Sequence, residues 1–69
     1  MTISNATRAG YANAALAAYL KAKGEDDDPR SNITDLMTDL LRLANQEGFD
    51  GQAMTVTAIY NFNEEIGND

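Results

Sequence analysis

The sequence predicts an all-α protein, a small three-helix domain with helices near residues 5–23, 32–47 and 51–66. Three observations carry that prediction. Residues 6–23, "ATRAGYANAALAAYLKAK", are rich in alanine, which loses little side-chain entropy in a helix. Ile33, Leu36, Met37, Leu40, Leu41 and Ala44 recur at i, i+3, i+4 and i+7 spacing without a gap, which defines one helix face. No second strand-like run exists to pair with the alternating stretch at 54–62. A chain of 69 residues makes one domain, 1–69, with a thin core.

The first helix is expected to start at a Ser4 or Asn5 cap, because a short oxygen side chain accepts from the orphan N–H groups of the first turn. Ala9, Ala12, Leu16, Tyr19, Leu20 and Lys23 form a broad, shallow stripe, and Ala14, Ala17, Ala18 and Lys21 occupy the other side. Lys21 and Lys23 suit the negative end of the helix dipole, and Gly24 is placed to end it. Gly10 dissents, at roughly 1 kcal/mol against Ala. "EDDDPRS" then reads as a loop, since four acids repel one another and Pro29 disfavours helix at Asp28.

The second helix is the clearest amphipath. Asn32 is expected to cap it, with Asp35 three residues on in a capping-box relation. Thr34, Asp35, Thr38, Asp39, Arg42, Asn45 and Gln46 fill the polar face, Leu43 falls outside the apolar stripe, and Gly48 ends the helix. Leu36, Leu40 and Leu41 are expected to be buried.

The third segment reads two ways. Met54, Val56, Ala58, Tyr60 and Phe62 alternate with Thr55, Thr57, Ile59 and Asn61 as a strand would. Helix has the better punctuation, with Asp50 at N-cap and Phe49 placed to staple onto Met54. Ala53, Val56, Ile59, Tyr60 and Ile66 then share a face, with Tyr60 completing the core. Glu64 and Glu65, ahead of Gly67, sit poorly at a helix C-terminus. The lack of a partner strand decides for helix.

Net charge is −6, and it is segregated. Residues 1–23 hold Arg8, Lys21 and Lys23 without an acid; residues 24–69 hold all 11 acids and only Arg30 and Arg42. Three dispersed cations make a poor footprint for nucleic acid, so no direct nucleic-acid binding is expected. Acidity favours a protein partner with a basic surface. No apolar run approaches the ~20 residues that span a bilayer, and "MTISNATRAGYANAALAAYL" lacks the pattern of a signal peptide. Membrane association is not expected; a cytoplasmic location is, consistent with the absence of cysteine. The Asn5 and Asn32 sequons then have no glycan to accept and are better read as caps.

Chemistry is excluded more readily than assigned. Without cysteine or histidine, no disulfide, ordinary zinc site or Ser-His-Asp triad is available to Ser4 or Ser31. No glycine-rich phosphate loop occurs. Asp26, Asp27 and Asp28 suggest calcium, but an EF-hand counted from Asp26 would need Gly and Glu where Ser31 and Met37 stand. Asp35 and Asp39 share a helix face, as Mg²⁺ carboxylates do. Each also has a plainer role, Asp35 in the first turn of a helix and Asp39 three residues from Arg42. A helical pyrophosphatase uses denser acidic clusters and here would have to recruit Glu64 and Glu65. No catalytic, cofactor-binding or metal-ligating set is therefore expected.

From Asn32 onward, "NITDLMTDLLRLANQEGFD" followed by "AIYNFNEE" resembles a group of short uncharacterised bacterial and phage-type helical proteins. Their helix reads Thr-Asp-Leu-x-Thr-Asp-Leu, followed by Gly-x-Asp and a Tyr with acids behind it. Asn32, Thr34, Asp35, Leu36, Asp39, Leu40, Gly48, Asp50 and Tyr60 carry the likeness, over about residues 32–65. The histidines such proteins often carry are missing here. The resemblance implies helix over 51–66 and a mobile-element context.

The function expected is that of a non-enzymatic small acidic protein-binding protein, regulatory or adaptor-like. Its candidate interaction surface is Glu25, Asp26, Asp27, Asp28, Asp35, Asp39, Glu47 and Asp50. The alternative is a phage-type inhibitor or DNA mimic, anti-CRISPR or anti-restriction, using the same acids. The third reading is a metal-dependent hydrolase using Asp35 and Asp39. Tyr11, Ala14, Ala18, Leu43 and Phe62 are more apolar surface than three short helices can cover, and are the candidate surface of a homodimer.

Overall fold

Three helices form in chain order: α1 (Asn5–Lys23), α2 (Pro29–Gln46) and α3 (Gly51–Ile66). The structure, a computed structural model, describes residues 3–66 and holds no strand among them, so the segment at 54–62 is helix. Its β-branched residues fit because Thr55 and Thr57 turn their hydroxyls back onto the helix, Oγ1 donating to the carbonyls of Gly51 (2.8 Å) and Ala53 (3.2 Å). Gly67, expected to follow the last turn, lies outside the described residues.

The helix ends are set by local chemistry. Ser4 caps α1, its oxygen accepting from the Thr7 N–H at 3.1 Å. Gly24, at φ 80°, closes α1 by donating to the Leu20 carbonyl at 2.9 Å. Asp50 caps α3, accepting from the Ala53 N–H at 3.1 Å. Gly48, at φ 82°, turns the chain out of α2.

The start of α2 corrects the expectation. The cap is Asp28, not Asn32: its carboxylate accepts from the Ser31 N–H at 3.3 Å and from the Ser31 hydroxyl at 2.6 Å. Pro29 takes the first helical position, where its missing N–H leaves nothing unsatisfied and its fixed φ suits a helix. Asn32 is instead the most buried polar residue described, at 4% exposure. Its Nδ2 donates to Asp26 Oδ1 (2.9 Å) and to the Asp27 carbonyl (3.1 Å), and its Oδ1 accepts from the Asp27 N–H (2.9 Å). One amide thus folds the acidic loop onto α2.

α2 is the central element, packed against α1 on one flank and α3 on the other. Lys23 meets Asp35 while Tyr19 meets Asp39, so α1 and α2 run antiparallel where they touch. The end of α3 returns to the start of α1: Asn5 Nδ2 donates to the Glu65 carbonyl at 2.9 Å, and Arg8 lies 3.8 Å from the Glu65 carboxylate.

Little is enclosed between them. Ala44 is the sole buried apolar residue described. Leu36 is half-buried, but Leu40 and Leu41 remain 54% and 42% exposed, against the expected burial. Tyr60, expected in the core, is 63% exposed. The cause is geometric. Where α1 faces α2 it offers the short alanines Ala9 and Ala12 beside Leu16, and Leu40 and Leu41 line the open gap between α2 and α3. The accessible surface is 5788 Å², whereas a compact protein of this mass exposes about 4,200 Å². The radius of gyration is 13.4 Å, against about 11 Å for a compact domain of this length.

Asn32→Ala is expected to cost about 1–3 kcal/mol, because it leaves the Asp27 peptide and the Asp26 carboxylate without their partner. Urea unfolding followed by circular dichroism measures it; an unchanged midpoint would show that the loop does not depend on this amide.

Candidate functional site

The expected acidic surface divides into three places. Glu25, Asp26, Asp27 and Asp28 lie in the loop before α2, and Glu47 and Asp50 in the turn after it. An 18-residue helix separates these two groups by about 27 Å. Asp35 and Asp39 lie between them, half-buried against α1.

That pair, placed by sequence on the polar face of the second helix, is engaged by α1 and by Arg42. Asp35 Oδ2 accepts from Lys23 Nζ at 2.8 Å. Asp39 Oδ2 accepts from the Tyr19 hydroxyl at 2.6 Å, and its other oxygen pairs with Arg42, as the three-residue spacing indicated. Lys23 Nζ also stands 5.5 Å from the centre of the Tyr19 ring and 4.0 Å from Glu25. The bonds shift the titrations of their members. Donation to Asp39 pushes the Tyr19 phenol above its ordinary value, and the bond to Asp35 raises the Lys23 ammonium. Asp39 is lowered by Tyr19 and then Arg42, and Asp28 by the Ser31 hydroxyl and N–H.

Linkage fixes the direction of each effect. The raised Tyr19 and Lys23 values give stability present below their ordinary values and lost as pH rises through the raised ones. The lowered Asp28 and Asp39 values give stability present above the ordinary carboxylate range and lost as pH falls through the lowered ones. At neutral pH all four contributions are in force.

These partners also weigh on the hydrolase reading. Both oxygens of Asp39, held by Tyr19 and Arg42, and one of Asp35, held by Lys23, are engaged within the fold. Glu65 is at the far end of α1 beside Arg8, about 16 Å along the helix from Tyr19. Among the described residues no three side chains of His, Cys, Asp or Glu come together as a metal cluster.

The feature that the sequence pattern placed elsewhere is apolar. Between α2 and α3 runs an open groove of about 430 Å³. Met37, Leu40 and Leu41 line it from α2, and Met54, Ile59 and Phe62 from α3; no charged side chain does. All six are more than two-fifths exposed. A smaller groove of about 260 Å³ lies between α1 and α2, at Leu16, Ile33, Leu36 and the alanines Ala9 and Ala12. Of the residues expected to form a dimer surface, Phe62 belongs to the larger groove. Tyr11, Ala14, Ala18 and Leu43 are exposed but do not line it. Phe49 and Met54, the expected staple, are both more than half exposed. The sequence carried part of the signal for the groove, the apolar faces of the second and third helices, but not that these faces stay uncovered. Among the described residues no helix is long and apolar enough to cross a membrane.

Tyrosinate absorbance tests the seam between α1 and α2. One tyrosine is expected to ionise above the ordinary value of about 10, and Asp39→Asn to move that step to lower pH. A titration curve unaltered by the substitution would show that Asp39 does not hold the Tyr19 hydroxyl in solution.

No protein-family model matches the chain, and neither a curated protein nor a solved structure does, which leaves its function to be read from this geometry.

Proposed function

We propose that the chain is a non-enzymatic protein-binding module, regulatory or adaptor-like, that works through the apolar face of α2 and α3. One observation carries this reading: a charge-free groove lined by six large apolar side chains, in a chain whose only buried apolar residue among those described is Ala44. Contiguous apolar surface of this kind marks sites of protein association. Methionine and phenylalanine, which supply half of the six, are enriched in the cores of such interfaces. The acids are the weaker candidate for the contact itself, since Asp26, Asp28, Asp35, Asp39 and Asp50 each hold part of the fold. A mobile-element context, as the Thr-Asp-Leu pattern suggests, is compatible with such a module.

The second reading is inhibition by mimicry of DNA. The net charge of −6 and the exposed run at Glu25–Asp28 favour it. The two differ in their salt response, because contacts between acids and a basic partner weaken steeply as ions screen them, whereas apolar contacts do not.

Capture experiments on lysate from the cells that carry the protein separate them. Under the apolar reading, Met37→Glu is expected to abolish capture of the bound protein. Asp26→Asn with Asp27→Asn is expected to leave capture intact, and capture is expected to persist at high salt. Loss of capture in the neutralised loop, with the Met37→Glu variant unaffected, would overturn it in favour of mimicry.

A further inference from the structure

We propose that the groove between α2 and α3 is filled by a second copy of the chain, in a twofold dimer whose hydrophobic core lies at the interface. This rests on the reading of the groove as a protein-binding face and names its occupant.

The first support is area. Two separate chains expose about 11,600 Å², twice the 5788 Å² of one. A compact protein of twice the 7.5 kDa mass exposes about 7,000 Å². The difference is about 4,500 Å². Even if the ten residues outside 3–66 in the two chains were fully extended, at about 160 Å² each, some 2,900 Å² would remain. Obligate homodimers bury about 2,000–5,000 Å² in total, well above the ~1,600 Å² of a standard transient complex. This excess belongs to the whole chain, and it is large enough to include an interface of obligate size.

The second support is the missing core. A chain whose only buried apolar residue described is Ala44 has no interior of its own to hold α3 against α2. Its partner must then be present whenever the chain is, and at matching amount. A second copy meets that condition by construction, and obligate homodimers commonly lack a stable folded monomer.

The third is charge. Two copies bring −6 each, so association is opposed unless the acids stay out of the seam. They do: no charged residue lines the groove, and Asp35 and Asp39 are turned to α1 by their bonds. Helices α2 and α3 of the two copies would form a four-helix layer, the common way in which small helical chains acquire a core. A twofold contact uses the same patch on both copies, and this patch is lined without a charged side chain.

The test is sedimentation of the full chain over a wide concentration range, with a cross-link to locate the contact. The expected result is a species of about twice the 7.5 kDa chain mass, with a melting temperature that rises with concentration. Ile59→Glu is expected to abolish that species, whether the chain then unfolds or not. Because the native chain has no cysteine, single cysteines mark positions uniquely. Ala58→Cys, in the groove, is expected to cross-link through a short bis-maleimide, and Ala14→Cys, on α1, is not. Cross-linking through Ala14→Cys alone would overturn the proposal in favour of a dimer built on α1. A monomer at every concentration that still captures a lysate protein, with capture lost in Met37→Glu, would overturn the second copy but leave the protein-binding reading standing. A monomer without such capture would overturn both.

Discussion

Helix α2 holds two neighbours that barely hold each other, and the rest of the structure follows from how it does so. Toward α1 the contact is made of directed polar bonds, Lys23 to Asp35 and Tyr19 to Asp39. Toward α3 it is made of apolar side chains that stay largely open, with a close approach at Gly51, where an added Cβ would come within 3.2 Å of Leu41. The two flanks differ in what they demand. Polar bonds at a wet surface fix register and contribute modestly to stability. Apolar faces stabilise only in proportion to the area they remove from water. Here the first kind of contact is complete and the second is not.

The segregated charge of the sequence finds its use in that division. The basic first helix does not stand apart from the acidic remainder. Lys23 goes to Asp35 and Glu25 at one end, and Arg8 goes to Glu65 at the other. Glu65 also explains how an anion is tolerated near a helix C-terminus, where the dipole disfavours it: α1 brings Arg8 alongside, and the Glu65 carbonyl accepts from Asn5. A charge pattern that suggested a basic partner is, in good part, an internal set of clamps. The loop at Glu25–Asp28 is likewise held, through Asn32 and Ser31, although its carboxylates stay exposed.

The three helices were legible because their signals are local. Alanine content, the 3.6-residue stripe at Ile33–Ala44 and the glycines at 24 and 48 belong to neighbouring residues and need no knowledge of the tertiary fold. The strand-like alternation at 54–62 was resolved by a fact about the whole chain, the lack of a partner strand. The cap of α2 was misplaced because Asn32 and Asp28 are both good caps. Pro29 selects between them, since it can occupy the first helical turn as readily as it can end a preceding one. Burial was the least legible property. Periodicity says which side chains share a face; it does not say whether a neighbour is wide enough to cover it. Leu40, Leu41 and Tyr60 show the difference. So do Asp35 and Asp39, whose spacing is the same on a solvated face, in a metal pair or against α1. Only the position of Tyr19 and Lys23 decides among these.

The incomplete apolar flank and the net charge then constrain one another. Apolar association of like-charged chains is opposed by their mutual repulsion, which salt screens over a Debye length of about 8 Å at physiological ionic strength. Contact between these acids and a basic surface has the opposite sign: salt screens an attraction. The same −6 therefore works against self-association and for a basic partner. It is compatible with the groove as the self-contact because no acid lines it. With the apolar faces of two copies turned inward, the acidic loops would remain outside, separated and hydrated. A dimer of this kind would have both an interior and an acidic exterior. The self-contact and the charge would then occupy different parts of one small molecule, so that repulsion between the acids does not act across the apolar seam.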